Sequence, residues 1–565
     1  MNSPSLKYVA IYLIPIATFL LKCQNPPFLA KNNTQNSQNI LTQLTVEQKI
    51  GQLFMVAAVA DEQKSKSIMQ RKPYRMDQEY VEKLIQDYHI GGLIFFGTST
   101  PTKQKKVTEH FQHLSKIPLL IGQDLEWGLA MRLQQVTKLP YAMTLGAIAD
   151  DNLIYELGKE IGNQCKAIGV HINFAPVADI NTNPLNPIIN CRSFGQDKNK
   201  VSSKAIAFMK GLQDAGIIAC AKHFPGHGDT NVDSHEDLLS ILHNKKRLYT
   251  TELYPFKELI NQGVSAIMVA HLLVPSFDKH NPTSLSPTIV THLLKKELNF
   301  SGLIITDALD MKGVTKNHRD GEIALHALLA GNDILLCPQN VLIAVEKIKK
   351  ALASGELTMQ ELDEHVQKIL QLKQWLKNHA IADRDPTQLN TSYTIELKKK
   401  LYEQAVTVAK NTKQLIPLKN NVQSPIQLIQ IGSKQQEPFV KQLTQQQQIT
   451  LHTICHNEPE NNIIQLCQDL NNKETIIISI HWMSQSIQNS YGITDITKKL
   501  INNLSKKNKK IILVIFGNPY SIQFFKNIST IIFAYENEPE AQIAASNIIL
   551  GNLKSVGVLP VKITV

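Results

Sequence analysis

The sequence predicts two α/β units: a (β/α)8 TIM barrel over residues 45–378, followed by a smaller C-terminal α/β sandwich-like domain over residues 396–565. The 565 residues are enough for more than one domain. Eight short apolar runs alternate with amphipathic segments in the first unit, a pattern typical of a parallel sheet covered on both faces. Polar residues follow most of these runs, and in a barrel the carboxyl ends of the strands share one face.

The eight predicted barrel strands follow one another between residues 51 and 337. In chain order they are "GQLFMVAAVA", "GGLIFFG", "PLLIGQDL", "HINFAPVADI", "IIACAKHF", "SAIMVAH", "SGLIITDAL" and "NDILLC". Amphipathic segments such as "NLIYELGKEIGNQCKAI" and "TIVTHLLKKEL" separate them, and helical "MQELDEHVQKILQLKQWL" closes the unit. Eight strands over about 300 residues fit a closed barrel better than an open sheet.

A polar linker over residues 379–395 separates the barrel from the second unit. The predicted strands of that unit are "IQLIQIG", "TIIISIHW", "KKIILVIFG" and "STIIFAYE", with "PVKITV" at the end. The intervening "TQQQQ" is a low-complexity stretch that we expect at the surface.

The first 30 residues predict an export signal. One lysine precedes the apolar run "YVAIYLIPIATFLL", which is short for a membrane span and suits a signal-peptide core. Cleavage is expected near Ala30, or else Cys23 is lipidated, although Lys22 fits a lipoprotein site poorly. A retained apolar helix is the remaining alternative. Residues 31–44, rich in Asn and Gln, predict a disordered tether. We therefore expect a periplasmic or envelope-associated protein, anchored to a membrane through its N-terminus in the case that Cys23 is lipidated.

Composition narrows the classes of partner. The formal net charge of +11 suits an acidic polymer such as a cell-wall glycan, or it is a solvated lysine-rich surface. No basic stretch interleaves with aromatic residues, so no nucleic-acid partner is predicted. The seven cysteines are dispersed, without a disulfide framework or metal-binding spacing. We expect a monomer without a cofactor.

Ionisable residues mark the ends of several predicted barrel strands. Asp124, Asp179, the pair Lys222 and His223, His271, and Asp307 each follow an apolar run, so a shared site is predicted at that face. Asp307 has two interpretations, a carboxylate of that site or a cap of the next helix. Asp310 is expected inside that helix and outside the site.

The segment "AKHFPGHGDTNVDSHED", residues 221–237, has three interpretations: a metal site, an acid/base device or a polar turn. It lacks the HExxH helix of many zinc sites, and no metal is predicted. Asp233 and His235 are two residues apart, so the carboxylate could orient the imidazole and raise its basicity for proton transfer. A turn that holds itself together by hydrogen bonds remains open. We expect the glycines to let the loop open and close.

Several motifs in this order resemble glycoside hydrolase family 3. They are "DLEWGLAMR", "FAPVADINTNPLNPIINCRSFG", "KHFPGHGDTNVDSH", "MVAHLLVPSFD", "TSLSP" and "GLIITDALDM". The long loop motif is similar to that of NagZ-type β-N-acetylglucosaminidases, and the resemblance spans residues 45 to 375. It continues more weakly through "GNPYSI", "YENEPEAQIAA" and "GVLPVKI".

The resemblance implies roles for individual residues. Asp307 is the implied nucleophile, and His235 is the implied general acid/base with Asp233 as its partner. The residues implied to bind or brace the sugar are Asp124, Arg192, Lys222, His223, His271 and Asp179.

One departure from the family pattern is Glu126-Trp127-Gly128, where many members have two glycines. Trp127 either stacks on a sugar or packs beneath the barrel rim, which leaves the preference of the outer subsites open.

The resemblance implies a retaining exo-β-N-acetylglucosaminidase that acts on GlcNAc-containing peptidoglycan fragments in cell-wall turnover or recycling. Other activities of the family, including β-glucosidase, broad β-hexosaminidase and phosphorylase, are alternatives. A glycan-binding wall protein without catalysis is a further one.

Overall fold

The computed structural model describes residues 24–29, 31–230, 238–316, 321–378, 385–418, 426–456, 458–470, 474–508 and 510–562. The predicted acid/base pair, Asp233 and His235, lies outside the described residues, as does the apolar run before Cys23.

Eight parallel strands form the first unit and close into a barrel. Their hydrogen-bonded order is β8-β1-β2-β3-β4-β5-β6-β7, and a bridge between Ile305 and Ile334 joins the two ends. The strands are β1 Phe54–Val59, β2 Gly92–Phe96, β3 Leu120–Gln123, β4 Ile172–Asn173, β5 Ile218–Phe224, β6 Ala266–Val269, β7 Leu303–Thr306 and β8 Leu335–Leu336. Each of the eight predicted runs contains one of them, and nearly every strand residue is buried between the barrel interior and the surrounding helices.

Helices surround the barrel, and side-chain caps start many of them. Asp61, Thr100 and Asp197 each accept a hydrogen bond from a backbone N–H in the following first turn, a contact worth about 1 kcal/mol. The helices of this unit are α1 Lys31–Gln43, α2 Val46–Gln52, α3 Glu62–Arg71, α4 Gln78–Tyr88, α5 Pro101–Leu114, α6 Ala142–Gly146, α7 Asp151–Ala167, α8 Lys198–Asp214, α9 Lys245–Thr250, α10 Tyr254–Asn261, α11 Lys312–Thr315, α12 Glu322–Ala330, α13 Val341–Ser354 and α14 Met359–Asn378, with a π-helix over Thr288–Glu297.

Residues 24–29 and 31–43, which precede the barrel, pack against it. Phe28 is fully buried, although it lies within the predicted export signal. Residues 31–43 form α1, which packs on α14, where composition predicted a disordered tether. That prediction is wrong because Leu41 is buried and Ser37 accepts a hydrogen bond from Gln367 at 2.7 Å. Tertiary packing of this kind stabilises helices of modest intrinsic propensity.

The second unit is built on a six-stranded sheet. Its order is β9-β14-β13-β12-β10-β11, parallel except for β9, which runs antiparallel to β14. The strands are β9 Thr407–Asn411, β10 Ile426–Ile431, β11 Ile449–Ile454, β12 Thr475–Ile480, β13 Ile511–Ile515 and β14 Thr530–Phe533. Its helices are α15 Ser392–Ala405, α16 Pro438–Gln446, α17 Glu460–Asp469, α18 Asp495–Lys507 and α19 Pro539–Leu550. The predicted fold class is confirmed.

Two details of the second unit differ from the prediction. The edge strands β9 and β11 were not predicted, because each buries only one residue fully and their apolar runs are weak. The described part of "PVKITV" is not a strand. Instead, the Gln196 backbone N–H donates to Pro560 O at 3.0 Å, and the Lys562 N–H donates to Gln196 Oε1 at 2.7 Å. The C-terminal segment therefore lies along the barrel.

The two units are joined by buried polar contacts. Glu536, after β14, accepts hydrogen bonds from Tyr141 N at 2.9 Å and Thr144 Oγ1 at 2.7 Å, and its other oxygen pairs with Lys138 at 3.0 Å. Asn518 Nδ2 donates to Asn190 Oδ1 at 2.5 Å. No helix within the described part of the chain has the length and apolar character needed to cross a bilayer.

Candidate active site

A cavity of about 340 Å³ opens at the carboxyl ends of the barrel strands. Five of the residues predicted to bind or attack the substrate line it together: Asp124, Arg192, Lys222, His223 and Asp307. Its wall is completed by Lys72, Ile94, Phe96, Glu126, Trp127, Met131, Arg132, Ile188, His227, Met268, Ala308, Met311 and Leu336. The predicted meeting of strand-end residues at one face is therefore present.

Asp307 lies directly after β7. Its backbone N–H donates to Val269 O at 2.8 Å, and its Oδ1 accepts from the Ala308 N–H at 2.8 Å. Helix α11 begins only at Lys312, so Asp307 does not cap it. Burial raises the pKa of Asp307, but the His223 and His271 rings outweigh burial and bring that pKa below its ordinary value. The side chain is an ionised carboxylate facing the cavity, as nucleophilic attack requires.

Two carboxylates and three cations form a continuous network on one wall. Asp124 contacts Lys222 Nζ at 2.8 Å and Arg132 Nη2 at 2.9 Å. Glu126 contacts the same Lys222 Nζ at 2.8 Å and binds Arg192 in a bidentate manner, at 2.7 Å from Nη2 and 2.9 Å from Nε.

Burial raises the pKa of both carboxylates, but the neighbouring cations lower it by more. They hold the pKa of Asp124 well below its ordinary value and lower the pKa of Glu126 to about 2. Burial likewise opposes the charge on Lys222, and the Asp124 carboxylate beside it still raises the pKa of that ammonium group.

Asp179 braces the site from behind and does not line the cavity. It is fully buried, and its Oδ2 lies 2.6 Å from His223 Nδ1. Its Oδ1 accepts the backbone N–H of His227 at 2.7 Å. The His223 and His227 contacts lower the pKa of Asp179 despite burial. The carboxylate fixes the His223 ring so that Nε2 points away from Asp179, toward Arg192 Nη2 at 3.3 Å.

His271 also stands behind the cavity. Its Nδ1 lies 2.7 Å from Ser284 Oγ, and its Nε2 lies 3.0 Å from Ala308 O. Burial lowers the pKa of His271. Since Ala308 follows Asp307, His271 supports the segment that carries the carboxylate, in keeping with its predicted bracing position.

The first half of the 221–237 loop is held tightly. A Cβ at Gly228 would lie 1.7 Å from Ile180 O, so close backbone approach alone accounts for that glycine. His227 lines the cavity, and burial lowers its pKa to about 4. Its Nε2 has no hydrogen-bond partner among the residues that the structure describes. His227 therefore adds a neutral ring to the cavity wall. The opening and closing predicted for this loop stays a prediction.

Sequence reasoning missed Arg132 and Glu126 as members of the site. Both stand in the quoted "DLEWGLAMR", and Arg132 was the available signal because it is a cation eight residues after Asp124. Trp127 meets Tyr141 edge-to-face at 4.8 Å between ring centroids and also lines the cavity. Asp310 precedes helix α11 and is not inside it, and it pairs with Lys72 at 2.5 Å.

Within the described ranges, no group of three or more His, Cys, Asp or Glu side chains could hold a metal ion. The chemistry of the wall is that of a polyol site, because it offers fixed carboxylate acceptors and cationic donors side by side around a buried carboxylate.

Comparison with known proteins agrees with this geometry. Residues 45–372 match the model described as the glycosyl hydrolase family 3 N terminal domain. β-Hexosaminidase A of Pseudoalteromonas piscicida is 28% identical over 92% of this chain and 97% of its own. The structure of a family 3 β-N-acetylglucosaminidase from Paenibacillus sp. strain FPU-7 is 30% identical, with a TM-score of 0.75 over 92% of this chain and 99% of that chain.

A β-glucoside phosphorylase has the same fold, with a TM-score of 0.79 over 95% of this chain and 98% of that chain at 22% identity. The family model covers more than half of the present chain, from the residue before α2 to a point within α14. The resemblance read from the motifs is confirmed, and the protein is a glycoside hydrolase of family 3.

Proposed function

We propose that the protein is a retaining exo-β-N-acetylglucosaminidase, which removes terminal β-linked N-acetylglucosamine through a glycosyl-enzyme intermediate. The observation that carries the proposal is the ionised Asp307 carboxylate at a cavity of about 340 Å³. That volume is at the small end of ligand sites, roughly 300–1,000 Å³, and suits one sugar residue. The names of the β-hexosaminidase and β-N-acetylglucosaminidase relatives support the choice of sugar.

In the first step, an Asp307 oxygen forms a bond to the anomeric carbon while the bond from that carbon to the leaving oxygen breaks. The leaving oxygen takes a proton from His235, which Asp233 orients. In the second step, water attacks the same carbon, its proton goes to His235, and the bond to Asp307 breaks. Two groups on opposite faces of the sugar are what a retaining mechanism requires. An imidazole fills the place of the usual second carboxylate.

Recognition of the sugar falls to the network on the cavity wall. Asp124 accepts hydrogen bonds, whereas Lys222 and Arg132 donate them, so vicinal hydroxyl groups find both kinds of partner. Because each group already has a charged partner, its position is fixed before substrate arrives, which reduces the entropy lost on binding.

The biological substrate we propose is the GlcNAc end of peptidoglycan fragments, in the periplasm or cell envelope. The apolar run before Cys23 supports export. The net charge of +11 suits approach to an anionic wall.

Hydrolysis of aryl β-N-acetylglucosaminide beside aryl β-glucoside tests the proposed activity. We expect the specificity constant kcat/KM to be at least tenfold higher for the N-acetyl substrate, since the site must bind the acetamido group to discriminate. Equal constants, or a preference for the glucoside, would refute the sugar assignment. Product analysis of a GlcNAc-MurNAc disaccharide, with and without attached peptide, then tests the wall substrate.

A further inference from the structure

The sheet of the second unit changes the direction of its connections between β10 and β12. The chain leaves β10 through α16 to reach β11 on one side, and it leaves β12 through α18 to reach β13 on the other side. Right-handed connections that run in opposite directions place their helices on opposite faces of a sheet. A crevice therefore lies between the carboxyl ends of β10 and β12, the place where open α/β sheets bind ligands.

Residues that follow three neighbouring strands meet at this crevice. Gly432 follows β10 with a φ of 102°, and a Cβ there would lie 2.5 Å from His481 O and 2.7 Å from His456 Nε2. His481 follows β12 and is fully buried, and its Nδ1 lies 2.8 Å from Asn537 Oδ1. Its Nε2 has no hydrogen-bond partner among the described residues. The base of the crevice is therefore polar.

Trp482 follows His481 and exposes its ring to solvent. It is 62% exposed, whereas Trp375 is buried and Trp127 packs against Tyr141. Its Nε1 donates to Glu437 Oε1 at 2.7 Å. That bond crosses the crevice, from the end of β12 to the residue before α16. The indole is therefore fixed at its nitrogen, while most of its surface stays open.

The backbone also indicates that the position of Trp482 is constrained. Its φ is 53°, in the left-handed region, where a bulky residue is an outlier. Such conformations persist only where surrounding contacts hold them, and they cluster at ligand-binding sites. An exposed indole also forgoes the gain from burying a large apolar surface. A ligand that covers the ring accounts for both features.

The surroundings of the ring indicate the class of ligand. Within residues 432–437 and 481–486, Trp482 is the one large apolar side chain that is exposed, whereas the core of a protein interface is a larger apolar patch. The Glu437 carboxylate beside the ring disfavours a phosphate-bearing ligand. A pyranose ring fits both conditions, because its C–H face covers an indole and its hydroxyl groups donate to carboxylate and imidazole acceptors.

The segment after Trp482 leads to the rim of the cavity in the barrel. Gln485 O accepts a hydrogen bond from Asn190 Nδ2 at 3.0 Å. Asn190 lies between Ile188 and Arg192, which both line the cavity. Three residues span at most about 11 Å from Cα to Cα, so Trp482 lies close to the cavity, although it does not line it.

We propose that Trp482 is the stacking residue of a second carbohydrate-binding site, outside the cavity, which binds a sugar ring of a GlcNAc-containing glycan. The identity of the sugar rests on the proposed function, and the position of the site does not. The ring belongs either to the chain whose terminal sugar occupies the cavity or to a neighbouring chain of the same chemistry. In both cases the second site raises the affinity for a polymer above that for a single sugar.

Calorimetric titration with a β-1,4-linked GlcNAc tetrasaccharide tests the site, in full-length Asp307→Ala protein so that the ligand is not cleaved. We expect added Trp482→Ala to weaken tetrasaccharide binding roughly 5- to 10-fold, the range of a lost aromatic stacking contact. The monosaccharide N-acetylglucosamine, which the cavity holds without the second site, should lose less affinity. Trp482→Phe keeps an aromatic face and should restore most of the tetrasaccharide affinity.

Tyr393→Ala is the matched control, in the same Asp307→Ala protein. Tyr393 is 49% exposed on α15, and its hydroxyl donates to Glu156. Its loss should leave the tetrasaccharide affinity unchanged. The stoichiometry distinguishes the two sources of the ring, because one bound tetrasaccharide indicates a single chain across both sites and two indicate separate chains.

Equal tetrasaccharide affinities with and without Trp482 in folded proteins would overturn the inference, as would an equal loss in Tyr393→Ala. If Trp482→Ala does not fold, acrylamide quenching of tryptophan fluorescence decides. Bound tetrasaccharide should protect the Asp307→Ala protein from quenching more than it protects the variant that also carries Trp482→Phe, and equal protection would contradict the site. The aryl substrates test the proposed function by turnover, whereas these titrations need none, so the two failures are distinguishable.

Discussion

The two units place polar residues at the ends of parallel strands but use them differently. In the barrel, residues in or after the carboxyl ends of β3, β5 and β7 converge on one cavity, where Asp124, Lys222 and Asp307 all line the wall. In the second unit, the residues that follow β13 and β14 reach the barrel, through Asn518 to Asn190 and Glu536 to Lys138.

The difference follows from closure of the sheet. A closed barrel directs all strand ends toward one axis, so side chains far apart in sequence meet around a common space. An open sheet leaves its strand ends in a row, and a row of polar groups is suited to docking along a neighbouring surface. Polar residues after parallel strands therefore indicate an active site when the sheet closes into a barrel. After the strands of an open sheet, such residues can also form the contacts between two domains. The contrast predicts opposite phenotypes for mutations at the two sets of strand ends.

The largest effect is expected for Asp307→Ala. Loss of the attacking carboxylate should lower kcat for an aryl β-N-acetylglucosaminide by about 10⁴-fold or more. The midpoint of thermal unfolding should be unchanged or slightly lower, because the lowered pKa of Asp307 means that the fold favours the ionised carboxylate. Turnover like that of the unmodified protein would break the assignment of the barrel strand ends to chemistry.

His235→Ala should slow the hydrolysis of substrates with poor leaving groups more than that of substrates with good leaving groups. A positioned general acid contributes typically ~10²–10⁴-fold, so natural disaccharides should slow by that range. Aryl substrates with good leaving groups need little protonation, and their burst of glycosyl-enzyme formation should persist in rapid-quench measurements. Equal losses on both substrate types would contradict the acid role.

Glu536→Ala should damage assembly and spare the chemistry of the barrel. The buried carboxylate receives two neutral hydrogen bonds and one ion pair from the barrel, so we expect a loss of about 2–3 kcal/mol in the free energy of unfolding. Urea denaturation measures it. Glu460→Ala, which removes an exposed pair with Lys499 in the same unit, is the control and should cost less than about 1 kcal/mol. Equal losses would show that the strand-end contact is not special.

The smallest effect is a pH dependence of stability. The pKa of Glu126 is 4.5 ordinarily and about 2 in the folded protein. A lowered folded pKa stabilises the protein fully above the unfolded value, and that contribution is lost as the pH falls from about 4.5 toward 2, with a loss of roughly 2 kcal/mol by pH 3. Glu126→Gln should therefore show a shallower decline in unfolding free energy between pH 5 and pH 3. An identical slope in the two proteins would mean that Glu126 is not held ionised by its partners.

Most of the fold could be predicted because burial on both faces gives a simple pattern. Even β4 and β8, each two residues long, were found within longer apolar runs. Helix α1 and strand β11 could not be predicted, since each depends on one or two buried residues within a polar segment. These two elements are stabilised by contacts with residues that are distant in the sequence.

The sequence predicts which residues at the strand ends belong to the site, but it does not predict which of them contact one another. Asp124, Lys222 and Asp307 each follow an apolar run, which is a local signal. The bond from Arg192 to Glu126 joins residues 66 positions apart, and no local pattern specifies it. Nor does the sequence say that Asp179 and His271 stand behind the wall, because that depends on how the barrel packs.

The contacts of Gln24 and Asn25, which precede α1, show on which side of the barrel the N-terminal segment is attached. Gln24 N donates to Asn261 O at 3.3 Å, and Asn25 Oδ1 accepts from Ser301 Oγ at 3.4 Å. Asn261 and Ser301 precede β6 and β7, so this attachment is at the amino ends of the strands, on the far side of the barrel from the cavity. A group bound to the chain at Gln24 would therefore lie on the side of the barrel opposite the mouth of the cavity.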